Sequence, residues 1–140
     1  MAILCAIDDD QFSNAVVTTA ADLADAYDNE LVVLHVMTRD RFESRADGQP
    51  EYYVDDGAKD AANRARKIAT NAGADGDAVV LKGRVGSPAD EIVDMAERLE
   101  PRYLVLGGRK RSPVGKALFG SITQSVLLEV EAPTVTIMHD

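Results

Sequence analysis

A chain of 140 residues that is 46% hydrophobic is the length of one domain with a substantial core. Its 24 acidic side chains against 15 basic ones give a formal charge of −9. That sets aside nucleic acid as the main partner, because phosphate backbones attract broad basic surfaces. No apolar run is long enough to cross a bilayer, and the apolar start runs straight into Asp8-Asp9-Asp10 without a leader pattern.

Taken in order, apolar runs alternate with segments of helical period, the pattern of a parallel α/β domain. The first strand is predicted over Ala2 to Ile7 and holds the lone cysteine, Cys5, as a small core residue. One cysteine forms no internal disulfide, which fits a reducing cytoplasm. A helix follows, with Val16, Ala20, Leu23 and Tyr27 on its buried stripe. The second strand covers Leu31 to Val36. From Met37 to Val54 no period is evident, and Gly48 and Pro50 interrupt the segment, which reads as a long loop. The second helix places Ala58, Ala61, Ala62, Ala65, Ile68, Ala69 and Ala72 together, implying close packing on the sheet, and Gly73 caps its end. The third strand covers Ala78 to Lys82. Ser87-Pro88-Ala89-Asp90 opens the third helix with an N-cap, a first-turn proline and an acid, and Ile92, Val93, Ala96 and Leu99 form its buried stripe. The fourth strand covers Arg102 to Leu106, the fourth helix runs from Ser121 to about Val130, and the fifth strand covers Thr134 to Met138. Five strands and four helices result.

The chemically conspicuous segment follows the fourth strand. From Gly107 to Gly120 it carries Arg109, Lys110, Arg111 and Lys116 and no acid, against the sign of the whole molecule, which makes a local anion site. Gly107-Gly108 lets backbone approach a ligand and take positive φ. Ser121-Ile122-Thr123-Gln124 reads as a capping box at a helix start, whose unpaired N–H groups favour phosphate. The loop is not a P-loop: Lys110 stands where the first glycine belongs, and Ala117 follows Gly115-Lys116. The dinucleotide glycine pattern is also absent.

Open α/β sheets bind ligands beyond their strands' carboxyl ends, where Asp8 is the other conspicuous residue. It suits a sugar hydroxyl or a hydrated Mg²⁺ beside phosphate, whereas Asp9 and Asp10 suit helix capping and solvation. A phospho-receiver domain lacks its strand-three Asp and strand-five Lys, and an Asp-x-Asp phosphatase is met by Phe12 where Thr or Val belongs. His35 reads as a structural residue in an apolar strand and His139 as an exposed terminal one. No triad and no Cys/His metal cluster stands out, so no catalytic or metal-ligating residue is assigned.

The chain resembles the universal stress protein family over nearly its full length. The resemblance rests on Ile3-Leu4-Cys5-Ala6-Ile7-Asp8, Leu34-His35-Val36, Gly83-x-x-Gly86-x-Pro88 with Ile92 and Ala96, Leu106-Gly107 through Gly120-Ser121, and Pro133-Thr134-Val135. It implies a five-stranded parallel sheet of order 3-2-1-4-5 with helices on both faces, a doubly wound fold, and dimers through the last strand, Thr134 to Met138. It also implies ATP binding through Gly-x-x-Gly-x₉-Gly-Ser/Thr, which Gly107, Gly120 and Ser121 match; Lys110 replaces the second glycine. On this resemblance Asp8 meets the ribose or adenine side and Val36 lines the adenine. Gly107, Gly120, Ser121 and Ile122 surround ribose and phosphates, and Ala6 and Leu106 belong to the same strand-end site. Arg109 and Lys110 are added from charge and position. The expected ligand is ATP, with AMP or ADP as alternatives and Mg²⁺ as a companion ion. The expected role is a cytoplasmic, dimeric sensor or regulator with at most slow hydrolysis. A same-fold interaction module without nucleotide is the alternative, and a phosphatase or phosphotransferase using Asp8 ranks behind both.

Composition yields a prediction of its own. Sixteen Asp and eight Glu against ten Arg and five Lys make a self-repelling surface that salt relieves, as befits a salty cytoplasm. Thermal unfolding followed from low to molar KCl is expected to show a rising midpoint; a flat or falling one refutes this reading.

Overall fold

The computed structural model describes residues 1–8, 12–109 and 120–139, except for the side chain of Arg109. The elements in order are β1 (Ala2–Ile7), α1 (Ser13–Tyr27), β2 (Glu30–Met37), α2 (Arg39–Ala46), α3 (Val54–Asn71), β3 (Val79–Val85), α4 (Pro88–Leu99), β4 (Tyr103–Arg109), α5 (Ser121–Glu129) and β5 (Thr134–His139). The strands form one sheet of order β3-β2-β1-β4-β5 in which every pairing is parallel. This is the order implied by the resemblance, with helices on both faces.

β1 lies at the centre, and all six of its residues are buried, which is why it reads as an unbroken apolar run rather than an alternating one. Its side chains divide by pleat. Ile3, Cys5 and Ile7 pack with Val16, Val17 and Ala20 of α1 and Ala65 and Ala69 of α3. Ala2, Leu4 and Ala6 pack on the other face with Ile92, Val93 and Ala96 of α4 and Val126 of α5. Burial pushes the Cys5 thiol up to about 12, so this cysteine is a packing residue and not a nucleophile.

The structure departs from the sequence expectations in several places. The segment read as a loop contains α2. Its start is capped by Thr38, which accepts from the Arg41 N–H at 3.3 Å, and none of its residues is buried. Phe42 anchors it: a Cβ on Gly57 would come within 2.8 Å of the Phe42 ring and of Val85. Tyr52 stacks obliquely on Phe42 at 5.4 Å and donates to Asp60 at 2.6 Å. Burial, followed by the Asp60 carboxylate, raises the Tyr52 hydroxyl above its ordinary value.

β3 and β4 each run about three residues further than expected. Gly83, Arg84 and Val85 pair with His35, Val36 and Met37, and Gly107, Gly108 and Arg109 pair with Ile137, Met138 and His139. Gly107 is therefore extended strand, and it is not among the positive-φ glycines. Tyr27, expected in the core, is 42% exposed, with the Arg102 guanidinium 4.3 Å above its ring. The start of α5 is also reassigned: Gly120 is the N-cap and Ser121 is the first helical residue, so the expected capping box is not formed. Gly73 does close α3. With φ at +82°, it lets its own N–H reach Thr70 O at 3.0 Å and the Ala74 N–H reach Ala69 O at 2.8 Å.

The alanine stripe of α3 is explained by Gly83. A Cβ there would fall on Ala58 O and Ala62 N, inside the 3.0 Å that real Cβ atoms respect, so helix backbone lies directly on strand backbone. Gly83→Ala forces the two apart and is expected to cost roughly 2–3 kcal/mol, read as a lowered urea midpoint. A midpoint equal to that of the parent protein contradicts this packing.

Candidate functional site

β1 and β4 are neighbours, paired from Ile3↔Tyr103 to Cys5↔Val105, yet the helices that follow them part company. α1 covers one face of the sheet and α5 the other. The chain turns away from the sheet in opposite directions at adjacent strand ends, which opens a crevice between them. A cavity of about 380 Å³ occupies it. Ala6, Val16, Leu34, Val36, Ile92 and Leu106 make its apolar walls, and Asp8, Ser13, Thr38, Ser121, Thr123 and His139 bring polar groups to it.

Three strand-end carbonyls beside the cavity are held by side chains. Ser13 donates its hydroxyl to Asp8 O at 2.5 Å. His35, buried, donates through Nδ1 to Ile7 O at 3.1 Å, which bears out its reading as a structural histidine. Thr123 donates to Gly107 O at 2.8 Å, tying the first turn of α5 to the last part of β4. Each bond satisfies a carbonyl where regular pairing ends and fixes the backbone bordering the crevice.

The helix starts here have a common property. The N-caps of α1, α4 and α5 are Phe12, Ser87 and Gly120, and none of these three residues makes a side-chain cap hydrogen bond. For α4 this corrects the expectation for Ser87; its Pro88 does occupy the first turn and lines the cavity. Gly120 has no side chain to offer, so nothing of its own competes for the unpaired N–H groups of the first turn of α5. Its φ of −62° makes no demand for glycine, and a Cβ there would meet nothing within 4 Å among the described residues. The glycine leaves space open rather than relieving strain. Gly107 is tighter, with Val16 Cγ2 3.3 Å from a hypothetical Cβ. α4 is held beside the site by Arg84 of β3, which donates to Asp94 at 2.5 Å and to Glu91 at 3.4 Å. Arg84, then Arg98, holds the Asp94 carboxyl below its usual value.

Of the residues nominated from sequence, Ala6, Asp8, Val36, Leu106, Gly107, Gly120, Ser121 and Ile122 all line this one cavity. Arg109 ends β4, paired with His139. Lys110, Arg111 and Lys116 lie outside the described residues, as do Asp9 and Asp10. No lysine or arginine lines the cavity among the described residues, and none of their His, Cys, Asp and Glu side chains gather in groups of three or more that could hold a metal ion.

The sequence reading missed Phe12 and misjudged His139. Their rings stack face to face, with centroids 3.6 Å apart and planes 7° from parallel, and both line the cavity. His139 is thus half-buried rather than exposed. The available signal was positional, since His139 ends a strand and strand ends border the site. Ser13, Thr38 and Thr123 were also passed over; each lies within a few residues of a strand end or helix start.

Comparison with known proteins follows the same lines. The profile of the Universal stress protein family matches residues 1–137. A universal stress protein from Archaeoglobus fulgidus superposes with a TM-score of 0.67 at 30% identity, over 98% of each chain. A structure of the universal stress protein from Archaeoglobus fulgidus in complex with dAMP aligns over 98% of this chain and 97% of that one, with a TM-score of 0.62. At 24% identity that likeness is one of fold. The stress response protein NhaX of Bacillus subtilis (strain 168) is 27% identical over 89 residues, 64% of this chain. The match spans about half, 51%, of NhaX.

Proposed function

The chain belongs to the universal stress protein family, and on that footing we propose that the cavity between β1 and β4 binds an adenine nucleotide. ATP is the first candidate, with AMP and ADP as alternatives. The protein then acts as a stress-response sensor or regulator, residues 1–140 forming one such domain, and no residue is assigned a catalytic role. One observation carries the reading: eight residues nominated for a nucleotide on sequence grounds line a single cavity of about 380 Å³, within the roughly 300–1,000 Å³ of small-molecule sites. The dAMP complex of the Archaeoglobus fulgidus protein supports the ligand class.

The roles follow from chemistry. The apolar wall at Val36 and Leu34 receives the base, and Asp8 accepts from ribose hydroxyls. The uncapped N–H groups of α5 at Ser121 and Ile122 receive phosphoryl oxygens, with Arg109 and Lys110 supplying cationic charge. Asp8 also offers the hard oxygen that Mg²⁺ prefers when phosphates fill most of its remaining shell.

A second surface supports a homodimer. β5 is a sheet edge with backbone groups free to pair, and Leu128 of α5 is 78% exposed. Light scattering is expected to return twice the chain mass. The same surface underlies the alternative, an interaction module without nucleotide. A cytoplasmic setting and a salty host complete the proposal.

Denaturing the purified protein and identifying released small molecules by absorbance and mass is expected to give close to one adenine nucleotide per chain. No released nucleotide, together with no thermal shift on adding ATP, leaves the interaction module standing. Gly120→Val fits the backbone, fills the open space, and is expected to weaken ATP binding at least about tenfold with a near-parental unfolding midpoint. Lys110→Gly is expected to weaken binding about tenfold through loss of an ammonium–phosphate contact; tighter binding instead marks the lysine as an obstruction.

A further inference from the structure

His139 ends the last strand, lines the cavity, and has no part in the family pattern described above. Its ring is clamped flat on Phe12 at 3.6 Å, which removes most of its rotational freedom. Its Nδ1 is buried and has no hydrogen-bond partner among the described residues. These facts constrain where the ring hydrogen sits. A buried N–H without an acceptor costs about 1–3 kcal/mol. The least costly arrangement of a neutral ring leaves the lone pair on Nδ1 and the hydrogen on Nε2. His139 then has one donor left to give, on a ring that borders the cavity.

Its place in the sheet indicates what that donor meets. Val36 lies on β2 and His139 on β5, and β1 and β4 stand between them. Three interstrand spacings separate them, about 14 Å at 4.7–4.9 Å each, a span that an extended nucleoside phosphate bridges. His139 also shares the cavity lining with Gly120, Ser121 and Ile122 at the start of α5, the end of the crevice assigned above to phosphoryl groups. We propose that His139, held by its stack on Phe12, is a ligand-recognition residue whose Nε2–H donates to a phosphoryl oxygen of the bound nucleotide. This rests on the nucleotide reading above and adds a contact to it.

Two measurements test the inference. Ring ¹⁵N shifts of His139 in the ligand-free protein are expected to report the Nε2–H tautomer and to move on adding ATP. An Nδ1–H tautomer, or a ring unmoved at saturating ATP, overturns it. Calorimetric titration with ATP then compares variants. His139→Phe keeps a stacking ring but removes the donor, and is expected to bind about tenfold more weakly. His139→Gln restores an N–H donor and is expected to lie within about threefold of the parent. Parental affinity in His139→Phe overturns the contact while leaving the nucleotide reading intact, whereas a parent protein that binds no ATP ends both. Should His139→Phe fail to fold, the ring shifts and His139→Gln decide the matter.

Discussion

Placing β1 at the centre of the sheet, hydrogen bonded to β2 on one side and β4 on the other, is the constraint from which the rest follows. Because both faces of β1 are covered, its flanking helices must be shared between the faces. α1 takes the face of Ile3, Cys5 and Ile7, whereas α5 joins α4 on the face of Leu4 and Ala6. Two adjacent strands whose chains leave in opposite directions cannot close the space between their ends. The crevice is therefore a product of core packing, present before any functional side chain is considered.

The borders of that crevice are tied together by a separate set of bonds. Ser13, His35 and Thr123 each spend a side-chain donor on a strand-end carbonyl. The N-cap residues Phe12, Ser87 and Gly120 make no side-chain cap, while Thr38, which also lines the cavity, does cap α2. These carbonyls are satisfied by side chains, while the first turn of α5 receives no cap from its own N-cap residue. A helix N-terminus carries partial positive charge, so the start of α5 suits an anionic ligand within a protein of net charge −9.

Much of this was legible in residue pattern, and the gaps have physical causes. β1 and β2 announce themselves because two-sided burial demands continuous apolar residues. The far ends of β3 and β4 do not, since glycine and arginine in Gly-Arg-Val and Gly-Gly-Arg break the apolar run, and these residues are extended through pairing with their neighbours. α2 escaped because a single ring, Phe42, anchors it, and one anchor makes no period. For the site, residues tied to strand ends and the glycine-serine turn were found by position and chemistry. The Phe12–His139 stack was not, because its partners come from opposite ends of the chain and no local pattern joins them.

The contact at Gly83 reaches beyond one residue. Sliding β3 along β2 by a single position would bring Lys82 or Arg84 beneath the backbone of α3, where not even a methyl group fits. Shifted ladders offer equivalent hydrogen bonds, so the alignment of an outer strand is set by what its side chains meet on each face. Here the alignment is enforced by a steric key: α3 seats only when the one hydrogen-bearing notch of the strand lies under it. Docking of a helix thereby proofreads the pairing of a strand.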